Sequence, residues 1–310
     1  CIRDSTSSVQ IQRGLGSTSL AVPSAGGTVS VNTRAAEVDP GTGIKMAAGD
    51  NGYHKFTAFH NTGVNDLGWS SSFLLGFWRG DGWRNGMKGE GTTYAFSVGY
   101  TPRGGDHEFN FSLIGAGQWH HQAYYGTQLQ DYLDYGPIQG DDYRKFNQLY
   151  GDYQGEEFSV LRNYYNKPLA TFNWDWDISS NVTLATSLYG SAGRGGGTGL
   201  RGRGSYGVTA YRESFADYLA DHGEWRNPDT TIDWSVAVLK NQKGGYIPES
   251  GPFAGMRLGY HNTVDGLPSK WGADTTTRRF STNSHNWYGG ISKLKIDTDN
   301  FRYEVGVDLR

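Results

Sequence analysis

Three short segments carry residue types that could support chemistry, and the first contains two histidines. Trp119, His120 and His121 place two imidazole rings beside an indole, and imidazole is a common metal ligand. Adjacent side chains of a strand point to opposite faces, so the two histidines are poorly arranged to hold one ion together. We therefore favour a polar loop base with an aromatic anchor, and the sequence predicts no metal-binding residue.

The other two segments contain paired aspartates and a glycine-rich run. Asp175 and Asp177 are two residues apart, which puts both carboxylates on one face of a strand. Such pairs can act as general acid and base, but two carboxylates on the water-filled interior side of a β-sheet are the simpler interpretation. Gly202–Gly207 has dinucleotide-loop spacing, yet glycines precede it where an apolar strand is required, which favours a surface loop. We predict no catalytic residue, no cofactor and no enzymatic activity.

The composition indicates β-structure. The 310 residues include 46 Gly, 20 Tyr, 14 Phe and 10 Trp. Aromatic residues favour pleated strands, whereas glycine favours turns and bulges. The mean hydropathy of -0.61 is low for several soluble cores, and no run of about 18 apolar residues predicts a membrane helix. The net charge of -3 says nothing about partners, and no basic run marks a nucleic-acid-binding surface.

The single cysteine, Cys1, rules out an internal disulfide framework. A cysteine at the first position would suit the lipidated N-terminus of a mature bacterial lipoprotein. No signal peptide precedes it, so we prefer the simpler interpretation that the sequence begins there as an incomplete chain.

Strand-like alternation of apolar and polar residues dominates the chain from about residue 44. Phe301–Arg310 alternates without interruption, which gives an extended strand one apolar face and one polar face. About nine such strands are predicted. The others with clear boundaries are Tyr53–Thr62, Trp69–Trp78, Thr92–Pro102, His107–Gly117, Pro168–Ile178 and Ser284–Asp297. Two short strands, Gln10–Gln12 and Val29–Val31, are predicted in the compact N-terminal segment.

Short turns and long loops alternate between these strands. The long loops lie near 119–166 and 194–283, and apart from a short helix over Tyr211–His222 we expect them to lack regular structure. Soluble domains seldom contain two such loops, whereas bacterial outer-membrane barrels have short turns at one end and long loops at the other. The sequence therefore predicts an all-β, transmembrane antiparallel β-barrel with its apolar faces toward lipid.

Two further sets of residues follow from this barrel. Aromatic side chains at strand ends are expected to form interfacial girdles, and the charges of the last strand are expected to face the lumen. The girdle residues are Trp69, Trp78, Tyr100 and Trp176, and the lumen charges are Arg302, Glu304, Asp308 and Arg310. Nine is an odd number of strands, and an open edge in lipid leaves costly unpaired backbone groups. We therefore expect the 310 residues to be a fragment, with another part of the polypeptide or another chain closing the barrel.

Several segments are motifs of one kind of protein. The clearest is the run from Pro23 through Gly26-Gly27-Thr28 to Thr33, which follows Arg13–Ser17. The others are Asp81–Trp83, Gly115–Gln122, Tyr164–Pro168 and Ser284–Gly289. Together they resemble TonB-dependent outer-membrane transporters, in particular the SusC-like and related transporters of the Bacteroidetes, and the first two segments resemble the end of the plug domain of that family.

The resemblance implies an organisation and a function. Residues 1–37 would be the end of the plug and 38–310 the first part of a 22-stranded barrel, without the TonB box, most of the plug and about the last thirteen strands. The protein would lie in the bacterial outer membrane, in contact with its lipid, and take up a glycan, a peptide or a metal chelate. Its partners would be a TonB-type energy-transducing protein, reached through the missing N-terminal part, and a SusD-like surface lipoprotein.

Aromatic side chains of the loops are the predicted ligand contacts, because they stack on sugar rings or bury peptide side chains. These are Trp83, Trp119, Tyr124, Tyr125, Tyr164 and Tyr165. Two alternatives remain open. The chain would be a soluble, secreted β-rich carbohydrate-binding module, or an accessory outer-membrane barrel of a secretion machine that passes no solute.

Overall fold

A computed structural model describes most of the chain. The described residues are 8–13, 27–32, 35–124, 126–140, 142–201, 214–243, 263–264, 267–268 and 277–310. Several residues that carry predictions therefore fall outside them: Cys1, Gly14–Ser17, Pro23–Gly26, Thr33, Tyr125, Gly202–Gly207 and Tyr211–Glu213. No helix in the described part is long and apolar enough to cross a membrane.

Strands make up most of the structure, with three α-helices among them. In chain order the elements are β1 (Ser8–Arg13), β2 (Gly27–Asn32), β3 (Gly41–Gly49), β4 (Tyr53–Asn61), β5 (Trp69–Gly80), β6 (Gly89–Tyr100), β7 (His107–Gly115), β8 (Gln118–His121), α1 (Leu129–Gln139), β9 (Gly151–Tyr153), β10 (Glu156–Glu157), β11 (Arg162–Asn166), β12 (Leu169–Ser179), β13 (Val182–Arg201), α2 (Phe215–His222), β14 (Ile232–Asp233), α3 (Trp234–Lys243), β15 (Thr263–Val264), β16 (Leu267–Pro268), β17 (Thr277–Asp297) and β18 (Arg302–Leu309). The predicted N-terminal strands are present and pair as β1 and β2.

One large antiparallel sheet contains the long strands. β7 and β8 keep a single register against β6, so they form one strand that is interrupted at residues 116–117. β11 and β12 likewise share one register against β13, and the interruption contains Pro168, which has no backbone N–H to donate. Counted in this way, the described residues form nine strands that pair in sequence order from β3 to β18. This agrees with the predicted number.

The two faces of the sheet have opposite chemistry. The outer face carries large apolar side chains that are exposed, including Phe73, Leu75, Phe77, Phe96 and Phe111. A soluble sheet would bury such a face, because removing apolar surface from water is favourable. The exposed apolar face therefore agrees with the predicted orientation toward lipid.

The inner face is polar and buried. Ser72, Ser97 and Ser112 are directly opposite one another across β5, β6 and β7, and all three are buried. Ser72 Oγ donates to Asn61 Oδ1 at 2.6 Å, and the Oγ atoms of Ser97 and Ser112 lie 3.0 Å apart. Asn110 Nδ2 donates to Ser97 Oγ at 3.2 Å. These hydrogen bonds compensate for the burial of the polar groups.

An aromatic row crosses the outer face near one end of the strands. Trp69 stacks on Tyr100 with ring centroids 4.4 Å apart, and Tyr100, Phe109 and Trp174 continue the row over the next two strands. Trp176 stacks on Trp174 at 5.9 Å. Trp69, Tyr100 and Trp176 therefore lie in one aromatic row on the outer face near the strand ends, as the predicted girdle requires.

Trp78, at the other end of β5, and the charges of the last strand were also assigned to a face from the sequence. The prediction is wrong for Trp78, which has the parity of buried Leu74 and so faces inward, with its Nε1 close to Gly91. A strand-end position does not decide the face, because successive side chains alternate. The last-strand charges are on the inner face as predicted, and Lys293 Nζ lies 3.5 Å from Glu304 Oε1.

The connections differ between the two ends of the sheet. At one end, which we call the short-turn end, they span residues 62–68, 101–106, 180–181 and 298–301. At the other, the long-loop end, they span residues 50–52, 81–88, 122–161 and 202–276. The asymmetry agrees with the sequence, although the 50–52 connection is a short one at the long-loop end.

The second long loop is shorter than predicted. β13 continues to Arg201 and β17 begins at Thr277, so the glycine-rich residues 194–201 belong to a strand. Glycine runs indicate loops when read alone, but here the partner strand supplies a complete ladder. His285 occupies the space beside Gly193, where a Cβ would lie 2.5 Å from its ring.

The two longest loops fold together, contrary to the expectation that they lack regular structure. We call the described residues of 122–161 and 214–243 the loop unit. β9 pairs with β10 from the same loop and, in parallel, with β14 from the other. The predicted helix is present as α2, where Ser214 Oγ caps the first turn by accepting from Asp217 N at 3.1 Å. α1 and α3 were not predicted.

The loop unit has a conventional apolar core in two clusters. The first contains Leu149, Val160, Trp225, Ile232, Trp234 and Ala237, and the second contains Phe146, Phe215 and Tyr218. Both clusters combine residues of both loops, which lie far apart in the sequence. Tertiary packing therefore decides this region, and the local sequence pattern does not.

Candidate functional site

A group of cationic and aromatic side chains lies at the long-loop end. Trp83, in the 81–88 connection, is 51% exposed. The Arg144 guanidinium and Lys145 Nζ lie 5.5 and 5.6 Å from its ring centroid, and the Arg84 guanidinium lies 5.3 Å from that of Tyr132. These are cation–π distances. We call these five residues the basic–aromatic rim.

Backbone and amide hydrogen bonds position the rim. Asn85 N donates to Lys145 O at 3.1 Å, and Asn147 Nδ2 donates to Asn85 O at 2.8 Å. Lys145 Nζ donates to Asn51 Oδ1 at 3.1 Å, which ties the loop unit to the turn between β3 and β4. Gly82 has a φ of +76°, and a Cβ there would lie 2.6 Å from Met87 O, so this turn requires glycine. Three separate connections thus hold the rim together.

The rim is electropositive. Arg144 Nε and Nη2 donate to both carboxylate oxygens of Asp142, at 2.9 and 2.7 Å, and these bonds lower the pKa of Asp142 to about 2. Within the described residues, Arg84 and Lys145 form no ion pair with a carboxylate. A positive charge beside aromatic rings suits an anionic ligand with planar groups.

Two of the predicted ligand-contact residues lie on the outer face instead. Trp119 lies opposite Glu90 and Tyr164, on the face that carries Phe111. Its Nε1 donates to Glu90 Oε1 at 2.9 Å, and the Arg162 guanidinium lies 3.9 Å from its ring centroid. A side chain on this face does not reach the interior, so Trp119 and Tyr164 are not part of the basic–aromatic rim, and their role as ligand contacts stays a prediction. Their position suits an upper aromatic girdle.

The remaining predicted ligand contacts are dispersed. Tyr165 faces inward and is partly exposed, whereas Tyr124 packs against the core of the loop unit. Tyr125 lies outside the described residues. Of the six predicted residues, only Trp83 belongs to the rim. The sequence analysis missed the other four members of the rim, which are Arg84, Tyr132, Arg144 and Lys145. A single cation or tyrosine in a polar loop cannot be recognised as part of a site from sequence, because its neighbour in space is not known.

Arg226 connects the two loops of the loop unit and was also missed. Its Nη1 donates to Gln148 O at 2.5 Å and to Thr230 O at 3.0 Å, and its Nε donates to Tyr218 Oη at 3.0 Å. Burial lowers its pKa. A guanidinium can satisfy several acceptors at once, so this residue fixes the loop unit that carries three members of the rim, Tyr132, Arg144 and Lys145.

A charged contact joins the loop unit to the sheet. Glu157 Oε1 lies 3.7 Å from Nδ1 of the buried His121 and 3.4 Å from Lys88 Nζ. The His121 ring and the Lys88 ammonium hold the pKa of Glu157 below its ordinary value. Across the described residues, no group of three or more His, Cys, Asp or Glu side chains is arranged to hold a metal ion.

Comparison with known proteins shows similarity in fold only. No family model matches the chain, and no curated protein sequence does. The ferric-catecholate import receptor Fiu from E. coli K12 is similar in its open form, with a TM-score of 0.55, 13% identity, and coverage of 97% of this chain and 38% of the receptor. Its closed form gives a TM-score of 0.50 and 13% identity over 96% of this chain and 34% of the receptor.

The siderophore receptor PiuA from Acinetobacter baumannii has a TM-score of 0.45 and 9% identity over 97% of this chain and 50% of that receptor. The chain therefore spans half or less of the length of these solved structures. On the strength of its similarity to Fiu, the chain has the antiparallel β-barrel fold of TonB-dependent receptors and covers a part of that fold.

Proposed function

We propose that this chain is part of a TonB-dependent receptor of the bacterial outer membrane that takes up an anionic metal chelate. The observation that carries the proposal is the distribution of side chains in the large sheet. Its inner face is polar and hydrogen-bonded, whereas its outer face is apolar and exposed. Such a sheet is stable when lipid covers its outer face. The long loops would then lie on the cell surface and the short turns in the periplasm.

The basic–aromatic rim supports a chelate as the substrate, out of the glycans, peptides and chelates that the sequence left open. Lys145 and Arg84 offer positive charge, and Trp83 and Tyr132 offer rings for stacking. A neutral glycan would use the rings but leave the charges unpaired. The structural neighbour Fiu is a ferric-catecholate import receptor, and a ferric catecholate is both anionic and aromatic.

Energy coupling would come from a TonB-type protein acting on a segment outside this chain. The SusC-like subfamily and a SusD-like lipoprotein partner stay predictions from the sequence. The absence of a catalytic role likewise stays a prediction.

Membrane localisation is tested on the complete product of the gene that encodes this chain. We expect it in the outer-membrane fraction and soluble only with detergent. A monodisperse monomer in detergent-free buffer would contradict the proposal and favour the secreted carbohydrate-binding module.

Transport is tested with a radiolabelled ferric catecholate. The double variant Arg84→Gln, Lys145→Gln should weaken binding by about tenfold, because it removes both unpaired charges of the rim. Arg103→Gln, in a turn at the short-turn end, is the matched control and should bind normally. Replacement of the TonB box should abolish uptake but leave binding intact. Unchanged uptake of every candidate chelate would favour the accessory-barrel alternative.

A further inference from the structure

The loop unit contains a cavity that is separate in its residues from the basic–aromatic rim. Its volume is about 300 Å³. Tyr153, Phe158 and Trp234 form aromatic walls, Val160 and Ala237 contribute apolar surface, and Arg278 supplies the charge. The Phe158 and Trp234 rings meet edge to face at a centroid distance of 5.2 Å.

Four parts of the chain build this cavity, and Tyr153 comes from the end of β9. Trp234, Ala237 and Val238 have the i, i+3, i+4 spacing that puts them on one side of α3. Phe158 and Val160 come from the segment that precedes β11, and Arg278 is the second residue of β17. The cavity therefore forms only where both loops meet the end of the longest strand.

Two hydrogen-bond donors of the cavity residues have no acceptor among the residues that the structure describes. Trp234 is only 5% exposed, and its Nε1 is buried without a partner. Arg278 Nε is also buried and unpaired. Buried polar groups in folded proteins are almost always hydrogen-bonded, so two unpaired donors on residues that line one cavity indicate a missing acceptor.

The charge of Arg278 is likewise uncompensated within the described part of the chain. Its Nη2 donates to Ser159 O at 3.3 Å and to Thr198 Oγ1 at 3.4 Å, both of which are neutral acceptors. Its guanidinium lies 5.2 Å from the Phe158 ring centroid. No carboxylate among the described residues forms an ion pair with it. The cavity therefore favours an anion.

We propose that this cavity is a binding site for a small aromatic carboxylate. The ring would lie against Phe158 and Trp234, and the carboxylate would accept hydrogen bonds from the indole and guanidinium donors. An apolar cavity of about 150 Å³ accommodates benzene, so a space of about 300 Å³ accommodates one ring and its carboxylate. A neutral aromatic molecule would leave Arg278 unpaired, and an inorganic anion would leave the aromatic walls without a partner.

Benzoate is the probe, titrated calorimetrically into the complete gene product in detergent. We expect saturable binding of benzoate, and binding at least about tenfold weaker for cyclohexanecarboxylate, which keeps the charge but has no aromatic ring. Benzyl alcohol, which keeps the ring and has no charge, should also bind at least about tenfold more weakly. Equal binding of benzoate and cyclohexanecarboxylate would overturn the assignment of an aromatic ligand.

Variants locate the site. Arg278→Gln should weaken benzoate binding by about tenfold or more, whereas Arg279→Gln, which changes the neighbouring exposed arginine, should leave it unchanged. Trp234→Phe removes the Nε1 donor together with one ring of the indole but keeps an aromatic wall, so it provides a second test if Arg278→Gln unfolds the loop unit. The inference is wrong if the wild-type protein shows no saturable benzoate binding, or if Trp234→Phe and every folded Arg278 variant bind benzoate as the wild type does. Neither result bears on chelate uptake, which depends on other residues.

Discussion

The sheet and the loop unit bury opposite kinds of side chain, although they belong to one chain. In the sheet, Ser97 is buried and Leu75 is 55% exposed, whereas in the loop unit Phe215 is fully buried. The loop unit follows the rule for proteins in water, where apolar surface drives folding. The sheet follows the rule for a wall between lipid and a polar interior. The comparison shows that the surroundings of each region, and not its hydrophobicity alone, decide which face is buried.

The largest expected effect concerns the apolar core that only the loop unit has. Phe215→Ala should destabilise the loop unit by about 3–5 kcal/mol, because it removes a buried ring and leaves a cavity. Hydrogen exchange of the loop-unit amides measures this loss. Phe73→Ala, on the exposed outer face, is the control and should cost much less, since lipid fills the space. Equal costs would contradict the distinction between the two regions.

A charge on the outer face tests whether that face meets lipid. Leu75→Arg should cost about 2–4 kcal/mol in a bilayer, as arginine does near the midplane. Leu239→Arg, at 50% exposure on the loop unit, is matched in residue and exposure and should change stability by less than about 0.5 kcal/mol. Denaturant unfolding of the complete protein in phospholipid vesicles measures the stability of the Leu75→Arg variant. Hydrogen exchange of the loop-unit amides measures the stability of the Leu239→Arg variant. A Leu75→Arg variant as stable as wild type would show that water covers the outer face.

The inner polar face should be sensitive to loss of single hydrogen bonds. Ser97→Ala removes the hydroxyl that bonds Ser112 and Asn110, and should cost about 1 kcal/mol. Ser71→Ala, on the other face of β5, should cost nothing measurable. Vesicle unfolding again provides the measurement, and a larger loss for Ser71→Ala would reverse our assignment of the two faces.

The smallest effect is expected where the two regions meet. The folded-state pKa of Glu157 is depressed, so its stabilising contribution is complete above the ordinary value of 4.5 and is lost as pH falls through the lowered value. Hydrogen exchange near His121 and Phe158, corrected for its intrinsic pH dependence, should show weaker protection as pH falls from about 6 to about 3. Glu157→Gln should remove this dependence. A profile that is the same in both proteins would exclude Glu157 as its source.

Sequence patterns predicted the sheet well, because the alternation of apolar and polar residues along a strand indicates the environment of each of its faces. The alternation in Phe301–Arg310 and in β6 follows from the two-residue period, and nine strands were expected and are present. Glycine was the main source of error. Residues 194–201 resemble a loop, but their pairing with β17 makes them a strand.

The sites were predicted less well, because they depend on contacts between distant segments. Trp83 was identified from its residue type, but its partners Arg144 and Lys145 come from another loop. Trp119 was also identified from its residue type, but it lies on the outer face, away from the rim. No sequence pattern predicted the roles of Arg226, Trp234 and Arg278, since the surroundings of each depend on packing between the two loops.

The sequence by itself determined the strands, their amphipathic faces and the unequal lengths of the connections, because these are properties of neighbouring residues. Only the tertiary structure decided that the two long loops fold together, that Trp78 faces inward and that Arg278 lies in an aromatic cavity. The physical reason is that these features depend on contacts between residues far apart in the sequence. The hydrogen bond from Arg226 to Gln148, for example, joins residues 78 positions apart.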